Sequence, residues 1–324
     1  MNINKKTIVK RIGTLVLFFL FISFAKAQNA SNAFAGVDTY VSSLGSLDTL
    51  NMGTIAKIIT QKFSDKKEKA RAVFVWITNN ISYETKAARA GDAKNNTSDA
   101  ILKNRKAGGQ GYATLFQDMC SVAGIRCLTV DGFLKRVTEN INEEDVEINH
   151  SWAVVQLGQS PEQWFYVDAA LGSGYLDKKG TTFTRSFDDA YFFANKLIFN
   201  NQHYPDNQRW QLVKGPKNKK TFYQLPIIKN GAYQFNVTDF APDNGIIKVK
   251  AGKVVNFGFS AKGPVTTISL LIEENKKRLV KAISNPVTAA GKTNFTYTFE
   301  DEGTYDVTIL INDKETLQYL VEVE

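Results

Sequence analysis

Histidine is almost missing from this chain of 324 residues: there are two, His150 and His203. That excludes a metal centre built from several imidazoles and leaves two candidates for any imidazole base. Cysteine is equally scarce, at Cys120 and Cys127. An oxidising compartment permits a disulfide, and their spacing across a helix end and a turn allows pairing without requiring it. Beyond the first 24 residues no apolar run is long enough to span a bilayer, and there is no internal repeat or extended low-complexity tract. Charge of one sign is lacking too, once the N-terminus is set aside. Residues 1–27 hold five basic groups and no acidic ones, so the formal +8 falls to 35 basic against 32 acidic groups, or +3. No nucleic-acid partner is expected from such a balance. The basic cluster Lys214 to Lys220 is short and reads as a solvated linker.

What is present begins with a leader. Lys5, Lys6, Lys10 and Arg11 precede the apolar run Ile12 to Phe24, and Ala25-Lys26-Ala27 is a small-x-small cleavage pattern. This predicts a signal peptide over 1–27 and a secreted or periplasmic protein with no transmembrane segment after cleavage. The other reading, an uncleaved anchor, has to contend with a run shorter than the roughly 20 residues a spanning helix needs. No Cys follows the small residues, against a lipid-anchored protein.

Residues 28–50 are small and polar and read as a loose lead-in. Asp65 with Glu68 forms a capping box ahead of Val73, Trp76, Ile77 and Ile81, which repeat at helical spacing. Ala87 to Ser98 reads as a surface loop. After Gly108-Gly109, the stripe Tyr112, Leu115, Phe116, Met119, Cys120 and Ala123 predicts a core-facing helix ended by Gly124. Strands are predicted over 125–134, 149–157 and 163–169, the last two as a hairpin with its turn near 159. In that register His150 faces Asp168 and Trp152 faces Tyr166, each pair on one sheet face. Residues 183–212 read as an aromatic-rich closing segment, in which His203 is a packing residue. Residues 216–221 read as a linker, and 222–324 as alternating β-runs. Asp301-Glu302-Gly303-Thr304-Tyr305 resembles the tyrosine corner of immunoglobulin-like sandwiches.

A cysteine nucleophile needs a helix N-terminus, a His and an orienting carboxylate. The chain offers the supporting parts in order: a Gly-rich helix start, a His on a strand, an Asp on the paired strand. Asn104-Arg105-Lys106-Ala107-Gly108-Gly109-Gln110-Gly111-Tyr112-Ala113 resembles the transglutaminase-like superfamily, whose usual version is close to N-R-K-x-x-C-Q-G-Y-A. His150-Ser151-Trp152 resembles its H-x-W strand, and Tyr166-Val167-Asp168-Ala169 its Y-V-D-A strand. Trp76-Ile77 with Asn80-Ile81-Ser82-Tyr83 is similar to its upstream helix. His203-Tyr204-Pro205 with Trp210-Gln211-Leu212 is similar to the closing segment of the kyphoscoliosis-peptidase-like branch.

The resemblance implies a papain-like transglutaminase-like domain over 51–215; with the β-runs and tyrosine corner of 222–324 the expected fold is α+β, that domain followed by an all-β Ig-like sandwich. It implies that His150 matches the catalytic base, Asp168 its orienting group, and Gly109 the nucleophile. Glycine has no side chain with which to attack a carbonyl. Cys120 lies eleven residues down the same helix, roughly 16 Å away; Cys127 is as remote, and Ser151 points to the other sheet face. A pseudoenzyme is therefore expected, without cofactor or metal, binding a protein, peptide or glycan of the cell envelope. Gly108, Gly109, Gln110 and Trp152 are the expected ligand-binding set, since a helix N-terminus attracts anions and a missing side chain enlarges the pocket beneath His150. The bland reading makes His150 and Asp168 a hydrogen-bonded core pair in a vestigial cleft. Other readings are an active hydrolase or transamidase with a non-standard nucleophile, and an adhesion protein binding through the sandwich. Oligomeric state is not legible.

Overall fold

The computed structural model describes residues 33–85, 97–160, 163–177, 179–275 and 277–324. The expected leader at 1–27 and most of the expected loop at 87–98 lie outside them.

The first half is helical. Helices α1 (Ala35–Ser43), α2 (Met52–Thr60), α3 (Lys66–Asn80), α4 (Ser98–Asn104) and α5 (Gly109–Val122) surround one apolar core. Asp65 caps α3 by accepting the amides of Lys67 and Glu68 at 2.8 and 3.2 Å, which answers two of the four donors every helix start leaves open. Gly124 follows α5 at φ +73°, the left-handed turn a side chain resists. From residue 35 on, the expected loose lead-in is a packed helix. Val37 and Val41, four apart on α1, are buried, and Asp38 takes a two-pronged ion pair from Arg71 of α3, both contacts at 2.7 Å. Arg71 is wholly buried, within 5.1–5.7 Å of the rings of Phe34, Phe74, Phe187 and Phe192, and it also pairs with Asp189. A buried cation needs such partners, and they fix α1 in place.

A sheet packs on α5. Two short strands, β1 (Ser82–Tyr83) and β2 (Lys106–Ala107), pair in parallel just before α5 begins. Strands β3 (Arg126–Leu134), β4 (His150–Gln156) and β5 (Trp164–Val167) follow, then α6 (Ala169–Ser173), the pair β6 (Gly174–Leu176) and β7 (Phe183–Arg185), α7 (Lys196–Gln202) and β8 (His203–Pro205). The main sheet runs β5-β4-β3-β8. The hairpin register differs by two residues from the expected one: Val154, not Trp152, faces Tyr166. The connection closes on Leu157 and Gln163, which moves the turn centre to 160. An even shift keeps each residue on its face, so His150 and Asp168 still share one. Gly132 pairs with both His150 and Pro205; a Cβ there would lie 2.3 Å from the Tyr204 carbonyl oxygen. Only glycine lets β8 approach so closely.

The C-terminal part is all-β apart from two short helices, α8 (Lys219–Gln224) and α9 (Asn230–Gln234). Its strands are β9 (Ile227–Ile228), β10 (Thr238–Ala241), β11 (Ile246–Val249), β12 (Val254–Ser260), β13 (Ile268–Glu274), β14 (Lys277–Ala282), β15 (Val287–Ala289), β16 (Lys292–Thr298), β17 (Gly303–Ile311) and β18 (Lys314–Val323). They form two sheets, β10-β12-β16-β15 and β11-β18-β17-β13-β14, with β9 added on β18. Alternating side chains such as Phe257, Phe295, Val307 and Tyr319 supply one shared core. The Tyr305 hydroxyl donates to the Asp301 carbonyl at 3.0 Å, the hydrogen bond a tyrosine corner requires.

The two parts are joined by more than a linker. Phe222 and Tyr223 pack with Phe133 and Tyr204. Lys135, at the end of β3 and almost wholly buried, donates to the carbonyls of Phe222 and Leu225 at 2.6 and 2.7 Å, and burial holds its pKa well below the usual lysine range.

Replacing Arg71 by Met should lower the free energy of unfolding by about 3–5 kcal/mol, the range for breaking a buried ion pair. Amide exchange should accelerate across residues 35–43 first. Denaturant titration and hydrogen exchange measure both; unchanged protection of α1 would mean that Arg71 does not hold it.

Candidate functional site

The local chain geometry explains how the site is assembled. Arg105, at φ 53°, ends α4 in a left-handed turn, and its carbonyl accepts the Ser82 amide at 2.9 Å. That lays Tyr83 against the start of α5. The same helix is pinned from the side by the Tyr112 hydroxyl, which donates to the Ile81 carbonyl at 2.7 Å. Gly108 is the N-cap and Gly109 the first helical residue, both buried, while Gln110 is exposed.

His150, first residue of β4, points its ring at that helix start. Its Nε2 lies 2.6 Å from Asp168 Oδ2. An ionised carboxylate only accepts, so Nε2 carries the proton. In the neutral ring, Nδ1 then presents a lone pair toward Gly109. A Cβ built on Gly109 would sit 2.8 Å from Nδ1 and 3.1 Å from Cε1. The imidazole therefore occupies the room that an absent side chain was expected to open. Tyr83 packs beside the same helix start, its ring stacked with that of Tyr112 at 6.2 Å, and burial pushes its pKa up. Tyr83 was not among the expected site residues; its place in the Asn80-Ile81-Ser82-Tyr83 motif, with β1 paired to β2, was the available signal.

Asp168 caps α6, accepting the Leu171 amide at 2.9 Å on Oδ1. Its Oδ2 takes a second imidazole as well: His203 Nε2, at 3.1 Å. The expectation that His203 serves in packing is half of its role. Its ring stacks on Phe199 with centroids 3.7 Å apart, and it also hydrogen bonds at the centre of the site. Sequence separation of 35 residues hid this contact. Burial alone would raise the Asp168 carboxyl, but His150, through charge and hydrogen bond, with help from His203, holds it well below the usual carboxylate range. Burial lowers the His203 pKa to about 4, against some opposition from Asp168.

The remaining candidates fall elsewhere. Trp152 is buried edge-on against the stacked Phe199–His203 pair, at 5.7 and 5.2 Å, so it buttresses His203 from the side. The Ser151 hydroxyl donates to Asp131 at 2.6 Å. Cys120 and Cys127 are both free thiols within the core; burial, then the hydrogen bond to Cys127, pushes the Cys120 thiol well up, which opposes thiolate formation. His150, Asp168 and His203 offer ligand atoms all within 4.8 Å of one another. Both imidazoles already spend Nε2 on the carboxylate, and all three groups are buried, so the arrangement is a hydrogen-bonded hub rather than an open chelate. Among the described residues no helix is long and apolar enough to cross a membrane.

Residues 53–169 match the model of the Transglutaminase-like superfamily, and this part of the chain is a transglutaminase-like domain followed by an all-β region. Kyphoscoliosis peptidase of Mus musculus is 32% identical over 200 residues, covering 61% of this chain and 30% of that protein. Its Homo sapiens counterpart is 30% identical over 221 residues, 68% of this chain and 33% of that one. Hillarin of Drosophila melanogaster is 24% identical over 220 residues, 63% and 26%. The chain thus spans about a third or less of the length of these relatives.

A His whose folded pKa is depressed contributes stability that is complete above its unfolded value and lost on acidification. For His203 the window runs from its ordinary 6.5 down to about 4. The expected loss across it is on the order of 3 kcal/mol. Asp168, also depressed, adds its loss only below its ordinary 3.8. Denaturation midpoints measured from pH 7 to 4.5 should therefore fall in the wild type and fall less in His203→Gln. Parallel curves for the two proteins would show that His203 is not the group being titrated.

Proposed function

We propose that this chain is an exported transglutaminase-like pseudoenzyme, a module that binds a protein, peptide or glycan of the cell envelope without turning it over. The observation that carries the reading is Gly109. It occupies the first turn of α5, faces the basic nitrogen of His150, and stands where the family motif quoted above has Cys. Acyl transfer by this constellation requires a nucleophile at that point, and Gly109 contributes none. Neighbouring candidates do not replace it: Ser151 turns to Asp131, and the two thiols lie in the core. Export is supported by the leader pattern of residues 1–27.

The second reading is a working hydrolase. It is favoured by the intact His150–Asp168 pair and by the likeness to proteins named as peptidases. On that reading an activated water on His150 would take the place of the missing side chain.

The two readings separate on one comparison, mature wild type against Gly109→Cys. The new side chain must push the His150 ring back by a few tenths of an ångström, since the contact at 2.8 Å is too short. The wild type should show no peptidase or transamidase turnover on mixed protein substrates. The variant should gain a thiol that alkylates at a pH well below the ordinary cysteine value of about 8.5, the sign of an imidazole-paired thiolate. Turnover by the wild type that disappears in His150→Ala would overturn the pseudoenzyme reading.

A further inference from the structure

A cleft of about 800 Å³ opens between the transglutaminase-like domain and the all-β region. One wall is the stretch 188–195, which runs directly behind the site, since the Asp168 amide donates to the Tyr191 carbonyl. The other is α9 together with the turn into β18. Clefts of this size at the junction of two parts of a protein are the usual place for a small ligand.

Three features define what would fit. First, the charged groups lining the cleft are of both signs, Asp188, Asp189 and Glu315 against Lys229 and Lys314, and several are held by the protein itself. Asp188 accepts the Asn230 side-chain amide at 2.6 Å and the Ala190 N–H at 3.0 Å. Asp189 pairs with Arg71, the Lys229 ammonium donates to the Arg136 carbonyl at 3.0 Å, and Glu315 lies 3.7 Å from Arg278. A strongly charged ligand finds little unbalanced charge there. The carboxylates nonetheless keep oxygen lone pairs for hydroxyl donors. Second, the ring of Tyr175 stands 60% exposed at the lip, an aromatic face of the kind that covers the C–H face of a sugar ring. Third, Phe193 in the wall holds φ +50°, a left-handed conformation rare for a bulky residue and maintained by its stacking on Phe192 at 4.1 Å. Such strain gathers at ligand sites.

We propose that this cleft, and not the helix start at Gly109, is the ligand site of the module, and that it takes an uncharged oligosaccharide. The inference deepens the binding-module reading and rests on it. The glycan lies with one ring on Tyr175 and its hydroxyls against the carboxylates and Gln234.

The test is calorimetric titration of the mature protein with neutral tetrasaccharides (β-1,4-linked N-acetylglucosamine, β-1,4-glucose and α-1,4-glucose), beside tetralysine and tetraglutamate. At least one sugar should bind. Tyr175→Ala should weaken it by about tenfold or more, roughly the value of one aromatic platform. Gln234→Ala should weaken it less, and Val254→Ala, exposed on β12 at the far end of the all-β region from Lys314 and Glu315, should leave it unchanged. Affinity should move by less than about twofold between 0.05 and 0.5 M salt, since no ion pair is made. Failure of all three sugars to bind at millimolar concentration would overturn the proposal. So would binding confined to a charged peptide with steep salt dependence, or sugar binding that Tyr175→Ala leaves intact. Wild-type turnover, by contrast, would end the pseudoenzyme reading and leave the sugar result standing.

Discussion

A carboxylate shut away from water has to find its partners within the protein, and Asp168 finds three: the Leu171 amide and two imidazoles. Each comes from a different element. The amide belongs to the helix that Asp168 itself caps, one imidazole opens β4, and the other opens β8. Leaving that charge unpaired would cost several kcal/mol, so the three elements are held to one another by a debt none can escape alone. The positions of other residues follow from this. Gly132 must lack a side chain for β8 to lie close enough, and Trp152 meets the His203 ring edge-on. The direction of His150 is settled by the same bond. With Nε2 given to Asp168, its other nitrogen has only the start of α5 to face.

Arg71 is the mirror case, a buried cation answered by two carboxylates and ringed by aromatic faces. Asp189, one of those carboxylates, lies in the stretch that packs behind Asp168. Both buried charges thus contact one segment, and the geometry of the histidine hub and the docking of α1 are linked through it. Tyr191 is the hinge of this arrangement. Its carbonyl serves Asp168, and its hydroxyl reaches Asn230 of the C-terminal part at 3.0 Å.

Local rules carried the sequence a long way. The cap at Asp65, the three-and-four spacing after Gly109 and the left-handed Gly124 each have their reason within a few residues, and each element lies where those reasons put it. The pairing of His150 with Asp168 was legible because face alternation survives an even register shift; the register itself was not, because turn length between 157 and 163 has no local determinant strong enough to fix it. What stayed hidden is long-range. Nothing near His203 says that it meets Asp168, and nothing near Asp38 says that an arginine 33 residues on will draw its helix into the core. Gly109 is the instructive case, since the sequence revealed the missing side chain but not that His150 would close over the place.

Lys135 has a consequence for how the protein is made. Its ammonium is buried against carbonyls that lie 87 and 90 residues further along the chain. While those residues are still to be synthesised, the amine can only remain in water, and the end of β3 cannot settle against its final neighbours. Strand β8 pairs with that same end of β3 and brings His203 to the hub. The N-terminal domain therefore does not finish when its own last residue leaves the ribosome. It waits for the first helix of the next part, and a nascent chain stalled in the linker should be a clasp still open.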